Sequence, residues 1–218
     1  MPHRCLLDYI TDRGQFPGDE RARRRALLAK IAEAARAGVD YIQLRERDLS
    51  ARELETLARE VADLVRENSP STRLLINSRT DVALAAGVDG VHLRADDVEP
   101  HEVRQVLDVS ARPPLVIGQF LVAISCHSNE DVIRAESEAA DFAVFAPVFG
   151  KRGTAGTPPA GIAALREACR AKIPVLALGG VNLENAASCL NAGAAGIAAI
   201  RLFQENKIED VVRALWAL

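Results

Sequence analysis

The sequence predicts an α/β fold of the closed (β/α)8 TIM-barrel type, and three observations carry that expectation. Short apolar runs alternate with longer amphipathic segments along the whole chain. A helix-ending phrase precedes several of the runs: Ala37-Gly38-Val39-Asp40, Ala86-Gly87-Val88-Asp89-Gly90 and Ala192-Gly193-Ala194-Ala195-Gly196. Two late runs, Val175-Leu-Ala-Leu-Gly-Gly-Val181 and Gly196-Ile-Ala-Ala-Ile-Arg201, have the composition of parallel strands buried on both faces. At 218 residues the chain is at the short end for such a barrel, and one domain spanning 1–218 is expected.

In chain order the expected strands are Arg4 to Ile10, Val39 to Leu44, Arg73 to Ile76, Val88 to His92, Phe120 to Ile124, Asp141 to Phe145, Pro174 to Leu178 and Gly196 to Ile200. Between the first two lies a helix pattern from Asp19 to Ala37. The next, Ser50 to Asn68, has Ser50 as N-cap, Glu53 completing a capping box, and Leu54, Leu57, Val61, Leu64 and Val65 along one face. Glycine just past each helix is the C′ cap, and the apolar residues after it open the next strand. A doubly wound sheet is the alternative, but the first turn, Ile10-Thr-Asp-Arg-Gly14, has no G-x-G-x-x-G and so no dinucleotide site.

Composition narrows the function classes. A formal charge of −3 and 4% aromatic residues argue against nucleic-acid binding by phosphate neutralisation and base stacking. No apolar run reaches the ~20 residues of a membrane span and the N-terminus lacks a signal-peptide pattern, so a cytoplasmic enzyme without membrane partners is expected. Cys5, Cys126, Cys169 and Cys189 have no metal or C-x-x-C spacing and are expected as reduced thiols. The segment around Val211, Leu215 and Trp216 is placed either at the barrel floor or in a homodimer contact.

Catalytic groups of such barrels sit at the C-terminal strand ends. Those ends supply Gln43 with Arg45 and Arg47, Asn77 with Ser78, His92 with Asp96 and Asp97, Ser125 with His127, the loop Pro147 to Gly156, Gly179-Gly180, and Ile200 with Arg201. Arginine forks suit phosphate oxygens, and glycines before a helix let backbone N–H groups approach an anion. A phosphorylated small molecule is the expected ligand. The bland counterpart is that Arg45 and Glu46 form a salt bridge at a strand end. His92, alternating with apolar neighbours, reads as an interior hydrogen-bonding residue, and Cys126 as packing rather than a nucleophile.

Gln43-Leu-Arg-Glu-Arg47, Ile76-Asn-Ser-Arg79, Gly90-Val-His-Leu93 with Asp97, Ser125-Cys-His-Ser128, Pro147-Val-Phe149 and Leu178-Gly-Gly-Val181 together resemble, in order and spacing, the thiamine phosphate synthase superfamily, which includes a thiazole tautomerase branch. The resemblance runs from about Leu6 to Phe203. It implies a transferase of thiamine biosynthesis that joins a pyrimidine methyl diphosphate to a thiazole ethyl phosphate, with Mg2+ as cofactor. Carried over by position, Gln43 would contact the pyrimidine and Arg45 and Arg47 would hold diphosphate. Asn77 would touch either, Ser125 would donate to diphosphate, and Asp97 would bind Mg2+. The backbone of Gly179 and Gly180, with the loop at Ile200 and Arg201, would take the thiazole phosphate.

Three departures from the pattern stand out. Ser78 replaces a second metal carboxylate, leaving Asp97 with a hydroxyl partner unless Asp96 or Asp81 compensates. The loop Gly150-Lys-Arg-Gly-Thr-Ala-Gly156 places Lys151 and Arg152 earlier than the family's diphosphate-binding lysine. Arg201 stands where a small serine is usual. The tautomerase branch would instead use His127 as a base, without Mg2+. His127 is alternatively a cap or packing residue before the helix that Ser128 opens. A catalytically silent phosphate-binding barrel is the third reading.

Overall fold

All eight runs form strands: β1 (Leu6–Ile10), β2 (Tyr41–Leu44), β3 (Arg73–Asn77), β4 (Gly90–Leu93), β5 (Leu121–Cys126), β6 (Phe142–Phe145), β7 (Val175–Ala177) and β8 (Gly196–Ala199). Every neighbouring pair is parallel, and β8 pairs back on β1 to close the barrel. This computed structural model describes residues 4–109, 120–150 and 158–218. Around the strands lie α1 (Glu20–Ala37), α2 (Ala51–Asn68), α3 (Thr80–Ala86), α4 (Pro100–Val109), α5 (Asn129–Ser137), α6 (Gly161–Ala168), α7 (Ala186–Asn191), the one-turn α8 (Arg201–Gln204) and α9 (Ile208–Trp216).

The sequence reading starts the first, second and fourth strands two residues early, and for the second and fourth the helix ends explain why. Val39 donates its N–H to Ala34 O while Gly38 donates to Ala35 O, and Val88 and Gly87 repeat this with Ala83 and Leu84. These are Schellman closures, so both valines are still finishing a helix. At α2 the expected box forms: the Ser50 side chain accepts from the Glu53 N–H, and the Glu53 carboxylate accepts from the Ser50 N–H.

Alternate strand residues face two separate cores. Leu7, Tyr9, Ile42, Leu44, Leu74 and Ile76 pack outward against the helices. Ile10, Leu75, Ala123, Phe142, Val144, Leu176 and Ala198 fill the interior, where Tyr41 stacks on Phe142 at 4.7 Å. Asp8, in register with Tyr41 and Ala198, is fully buried, and neither carboxylate oxygen has a partner among the described residues.

The strand N-termini are latched by a repeated device. Asp40 accepts from the Leu7 N–H and from Arg4; Asp89 accepts from the Leu74 N–H and from Arg73; Asp141 accepts from the Val122 N–H and from Arg104. Each aspartate immediately precedes or opens the approach to one strand and ties the N-terminus of the strand before it. The C-terminal segment closes the same end: Val211, Val212 and Leu215 of α9 are buried, Trp216 Nε1 donates to Cys5 O at 3.2 Å, and Arg4 lies 4.2 Å above the Trp216 ring.

Candidate functional site

Parallel closure carries all eight C-terminal strand ends to one face, where β1 and β2 shape a cleft of about 250 Å3 lined by Asp12, Arg13, Gly14, Glu20, Arg23, Arg45, Glu46, Arg47 and Asp48. The chain after β2 alternates in its attachments. Arg45 donates its backbone N–H to Thr11 Oγ1 at 2.9 Å. Glu46, 5% exposed, accepts from Thr11 Oγ1 at 2.6 Å, from the Arg13 N–H at 3.1 Å and from Arg13 Nη1 at 3.1 Å. Asp48 takes both outer nitrogens of Arg13, at 2.6 and 2.7 Å, and Glu20 takes its Nε at 2.7 Å.

The salt bridge expected between Arg45 and Glu46 is therefore not made: the Glu46 partner is Arg13, because the strand pairing of β1 with β2 places Arg13 over that carboxylate. Among the described residues the Arg45 and Arg47 guanidinium groups have no ion-pair partner, although four carboxylates line the same cleft. Burial first, and the neighbouring Arg47 second, lower the pKa of Arg45. Asp12 and Glu46 act in the opposite direction, less strongly. Next to them in sequence, Gln43 is 2% exposed and points into the barrel mouth from β2, its buried Nε2 without a partner among the described residues.

At the β3 and β4 ends the two positions read as metal ligands do meet. Ser78 has φ 66°, in the left-handed region, and its hydroxyl donates to Asp97 Oδ2 at 2.6 Å. The same oxygen accepts the Arg94 N–H at 2.8 Å. Asp96 and Asp81 do not supply the missing carboxylate: Asp96 is exposed and paired to Arg94, and Asp81 is exposed and paired to Arg79. Among the described residues there is no cluster of three or more metal-binding side chains. One carboxylate with one hydroxyl is too little for an all-protein cage, yet it fits Mg2+, which commonly takes one or two carboxylates and completes its shell with substrate phosphate oxygens and water.

Asn77 ends β3 in register with His92. His92 is 2% exposed, and its Nε2 lies 2.9 Å from Ser125 Oγ. Burial, with a smaller contribution from Arg45, pushes its pKa down to about 3, so the imidazole is neutral and acts as the interior hydrogen-bonding residue expected. His127 is exposed, and its ring Nδ1 lies 2.6 Å from Ala146 O. The capping role belongs to Ser128, which accepts from the Asp131 N–H. Cys126 is buried with its thiol pushed up to about 12 by desolvation, which removes it as a nucleophile.

On the far side, Gly179 (φ 96°) and Gly180 (φ 65°) meet the loop after β6 rather than open space. A Cβ on Gly179 would lie 2.7 Å from Pro147 Cα, and one on Gly180 would lie 2.8 Å from Phe149 Cβ. The glycines are required at least for this loop contact, which the Phe149 N–H bond to Gly179 O at 2.9 Å closes. Ile200 and Arg201 lead from β8 straight into α8, whose Gln204 bonds the Asp12 backbone from both its Oε1 and Nε2 and so ties this end to the β1 loop. Arg201 is exposed and without an ion pair among the described residues. Lys151, Arg152, Gly153 and Gly156 lie outside the described residues.

Sequence reasoning missed Asp12, Arg13 and Arg23 as cleft residues. The list of polar strand ends began at β2, while Thr11-Asp-Arg13 follows β1 directly and carried the same signal.

A family model described as thiamine monophosphate synthase matches residues 10–203. A putative thiamine-phosphate synthase of Geobacter sulfurreducens is 40% identical over 215 residues, covering 97% of this chain and 93% of that protein. A thiamine-phosphate synthase of Roseiflexus sp. is 37% identical, covering 89% of this chain and 76% of its own length. Among solved structures, thiamine phosphate pyrophosphorylase from Pyrococcus furiosus superposes with a TM-score of 0.76 at 27% identity, over 98% of this chain and 94% of that one.

Proposed function

This chain belongs to the thiamine monophosphate synthase family, and on that premise we propose that it joins 4-amino-2-methyl-5-hydroxymethylpyrimidine diphosphate to thiazole ethyl phosphate, giving thiamine phosphate and diphosphate. It is a transferase of thiamine biosynthesis. The observation that carries the assignment of the diphosphate end is that, among the described residues, the guanidinium groups of Arg45 and Arg47 have no ion-pair partner in a cleft whose carboxylates are engaged elsewhere.

In this reading the bond between the pyrimidine methylene carbon and the diphosphate oxygen breaks with its electron pair going to diphosphate, and the thiazole nitrogen then attacks the resonance-stabilised pyrimidine cation that is left. Rate then depends on stabilising charge that develops on the leaving group, and fixed donors in a partly desolvated cleft do this most effectively. Arg45 and Arg47 offer forked donors to the phosphoryl oxygens. Gln43, with its buried unpartnered amide, orients the pyrimidine, and Asn77 lies one strand away to touch pyrimidine or diphosphate. Ser125 can donate to diphosphate when His92 Nε2–H donates to its oxygen, because the serine proton is then free. Mg2+, held by Asp97 and Ser78 and completed by substrate oxygens, would add divalent charge against the same leaving group. Gly179, Gly180, Ile200 and Arg201 take the thiazole phosphate at the β7 and β8 ends, the usual place for a phosphate in this fold. No general base is required.

The tautomerase reading has one observation in its favour: with Nδ1 held by Ala146 O, His127 retains Nε2 as a free base. One assay separates the two. Purified protein is incubated with both synthase substrates, with and without Mg2+, and thiamine phosphate is quantified by its fluorescent oxidation product. Mg2+-dependent product is expected; its absence, together with isomerisation of the carboxylated thiazole phosphate, would overturn the proposal.

A further inference from the structure

Four carboxylates and four arginines line the cleft after β1 and β2, so indiscriminate pairing would leave no cation for a ligand. The actual pairing is lopsided. Arg13, 5% exposed, holds Glu20, Glu46 and Asp48 with a single guanidinium, and Asp12 accepts instead from Gln15 Nε2 at 2.7 Å. Arg45 and Arg47, on either side of Glu46 in the chain, remain unpaired among the described residues.

Resting on the reading that Arg45 and Arg47 bind diphosphate, we propose that Arg13 is a positioning residue that sequesters the carboxylates of the cleft and thereby keeps both arginines free for the ligand. The fork is what makes one residue sufficient. Its two outer nitrogens grip both Asp48 oxygens while Nη1 also reaches Glu46 and Nε reaches Glu20. The Glu20 and Asp48 side chains are 61% and 72% exposed, so once released they are free to swing toward Arg45 and Arg47. An arginine already paired must give up that partner before it accepts a phosphate, whereas a free one is preorganised. Arg13 also lines the cleft, but its guanidinium nitrogens are already taken by Glu20, Glu46 and Asp48.

The test is calorimetric binding of inorganic diphosphate to three variants and the native protein. Arg13→Lys keeps a cation on the buried Glu46 but lacks the fork; affinity is expected to fall on the order of tenfold. Adding Glu20→Gln and Asp48→Asn to Arg13→Lys removes the competing acids, and affinity is expected to return to within about threefold of native. A role confined to stapling the β1 and β2 loops would not be restored by neutralising two exposed acids. Native affinity in Arg13→Lys, or no recovery in the triple variant, overturns the proposal. Should Arg13→Lys fail to fold, Arg13→Met is compared with and without Glu20→Gln and Asp48→Asn in a Glu46→Gln background, where no buried charge is stranded. The third variant, Arg45→Ala with Arg47→Ala, isolates the premise: unchanged diphosphate binding there removes the assignment of the site itself, whereas its loss leaves the Arg13 outcome to be read on its own.

Discussion

At the N-terminal end of the barrel, Asp40, Asp89 and Asp141 each accept one backbone N–H and one arginine, while at the C-terminal end Arg45, Arg47 and Arg201 have no ion-pair partner among the described residues. The same residue types thus serve opposite ends differently. Pairing at the floor satisfies strand N–H groups that closure would otherwise strand, which is a contribution to stability. Unpaired cations at the mouth are poised for an anion and contribute to binding. The contrast predicts that mutations at the two ends separate stability from activity.

The largest effect is expected at the mouth. Replacing Arg45 and Arg47 together by alanine should lower kcat/KM by about a thousandfold, the scale of lost transition-state donors, with the thermal midpoint little changed. A fall in stability matching the fall in rate, seen by following unfolding and turnover on the same preparation, would erase the distinction between the two ends.

Asp8 provides a second test, because it is unpaired but far inside the barrel rather than at the mouth. Desolvation raises its carboxyl from 3.8 to about 8. The folded chain therefore keeps a proton that the unfolded chain releases above its ordinary value. This stabilisation is whole below the unfolded pKa and is lost as pH rises toward the folded one. Between about pH 5 and about pH 7 the protein should lose about 3 kcal/mol of stability from this group, measured by urea unfolding, and Asp8→Asn should flatten that slope. A slope unchanged in the variant would mean that Asp8 is solvated or partnered.

At the floor, Asp89→Ala leaves the Leu74 N–H and Arg73 without their partner. The expected cost is about 2 kcal/mol in denaturant titration, with kcat/KM of the folded protein unchanged.

How far all this was legible in the sequence differs between the ends as well. Strand number, order and the α2 capping box were readable because apolar period and cap residues act locally. The Ala-Gly-Val-Asp phrase was read as a helix ending, and Gly38 and Gly87 do end helices, but the latch made by the aspartate after it was invisible. Its partner N–H groups lie 33 and 15 residues away, across strand pairings that one chain's local pattern does not specify. Arg13 was legible as a polar residue at a strand end, but its role was not, because its carboxylates at Glu46 and Asp48 come from the next βα unit. Ser78 and Asp97 were paired through resemblance, and the fold supplied the reason, since Ser78 N–H donates to His92 O and so hangs the β3 turn beside the β4 end.

That contact supports the smallest and most specific prediction, Ser78→Asp. Aspartate tolerates the left-handed backbone found at this position better than most residues, so the φ of 66° does not oppose the change. The Ser78 hydroxyl lies 2.6 Å from Asp97 Oδ2, and a carboxylate there would face Asp97 at close range. Without a cation two such anions repel, and the variant should melt below the native protein in chelator. With Mg2+ they become a two-carboxylate pair of the kind that holds this ion beside phosphate oxygens, and the cation affinity should rise about tenfold. A thermal-shift titration with Mg2+ in the absence of substrate reads this directly. A steeper Mg2+ response than native would mark the Ser78 and Asp97 positions as one weakened metal site at the mouth. An identical response in both proteins would place the metal elsewhere at the mouth and leave the Ser78 hydroxyl as a latch on the Asp97 loop.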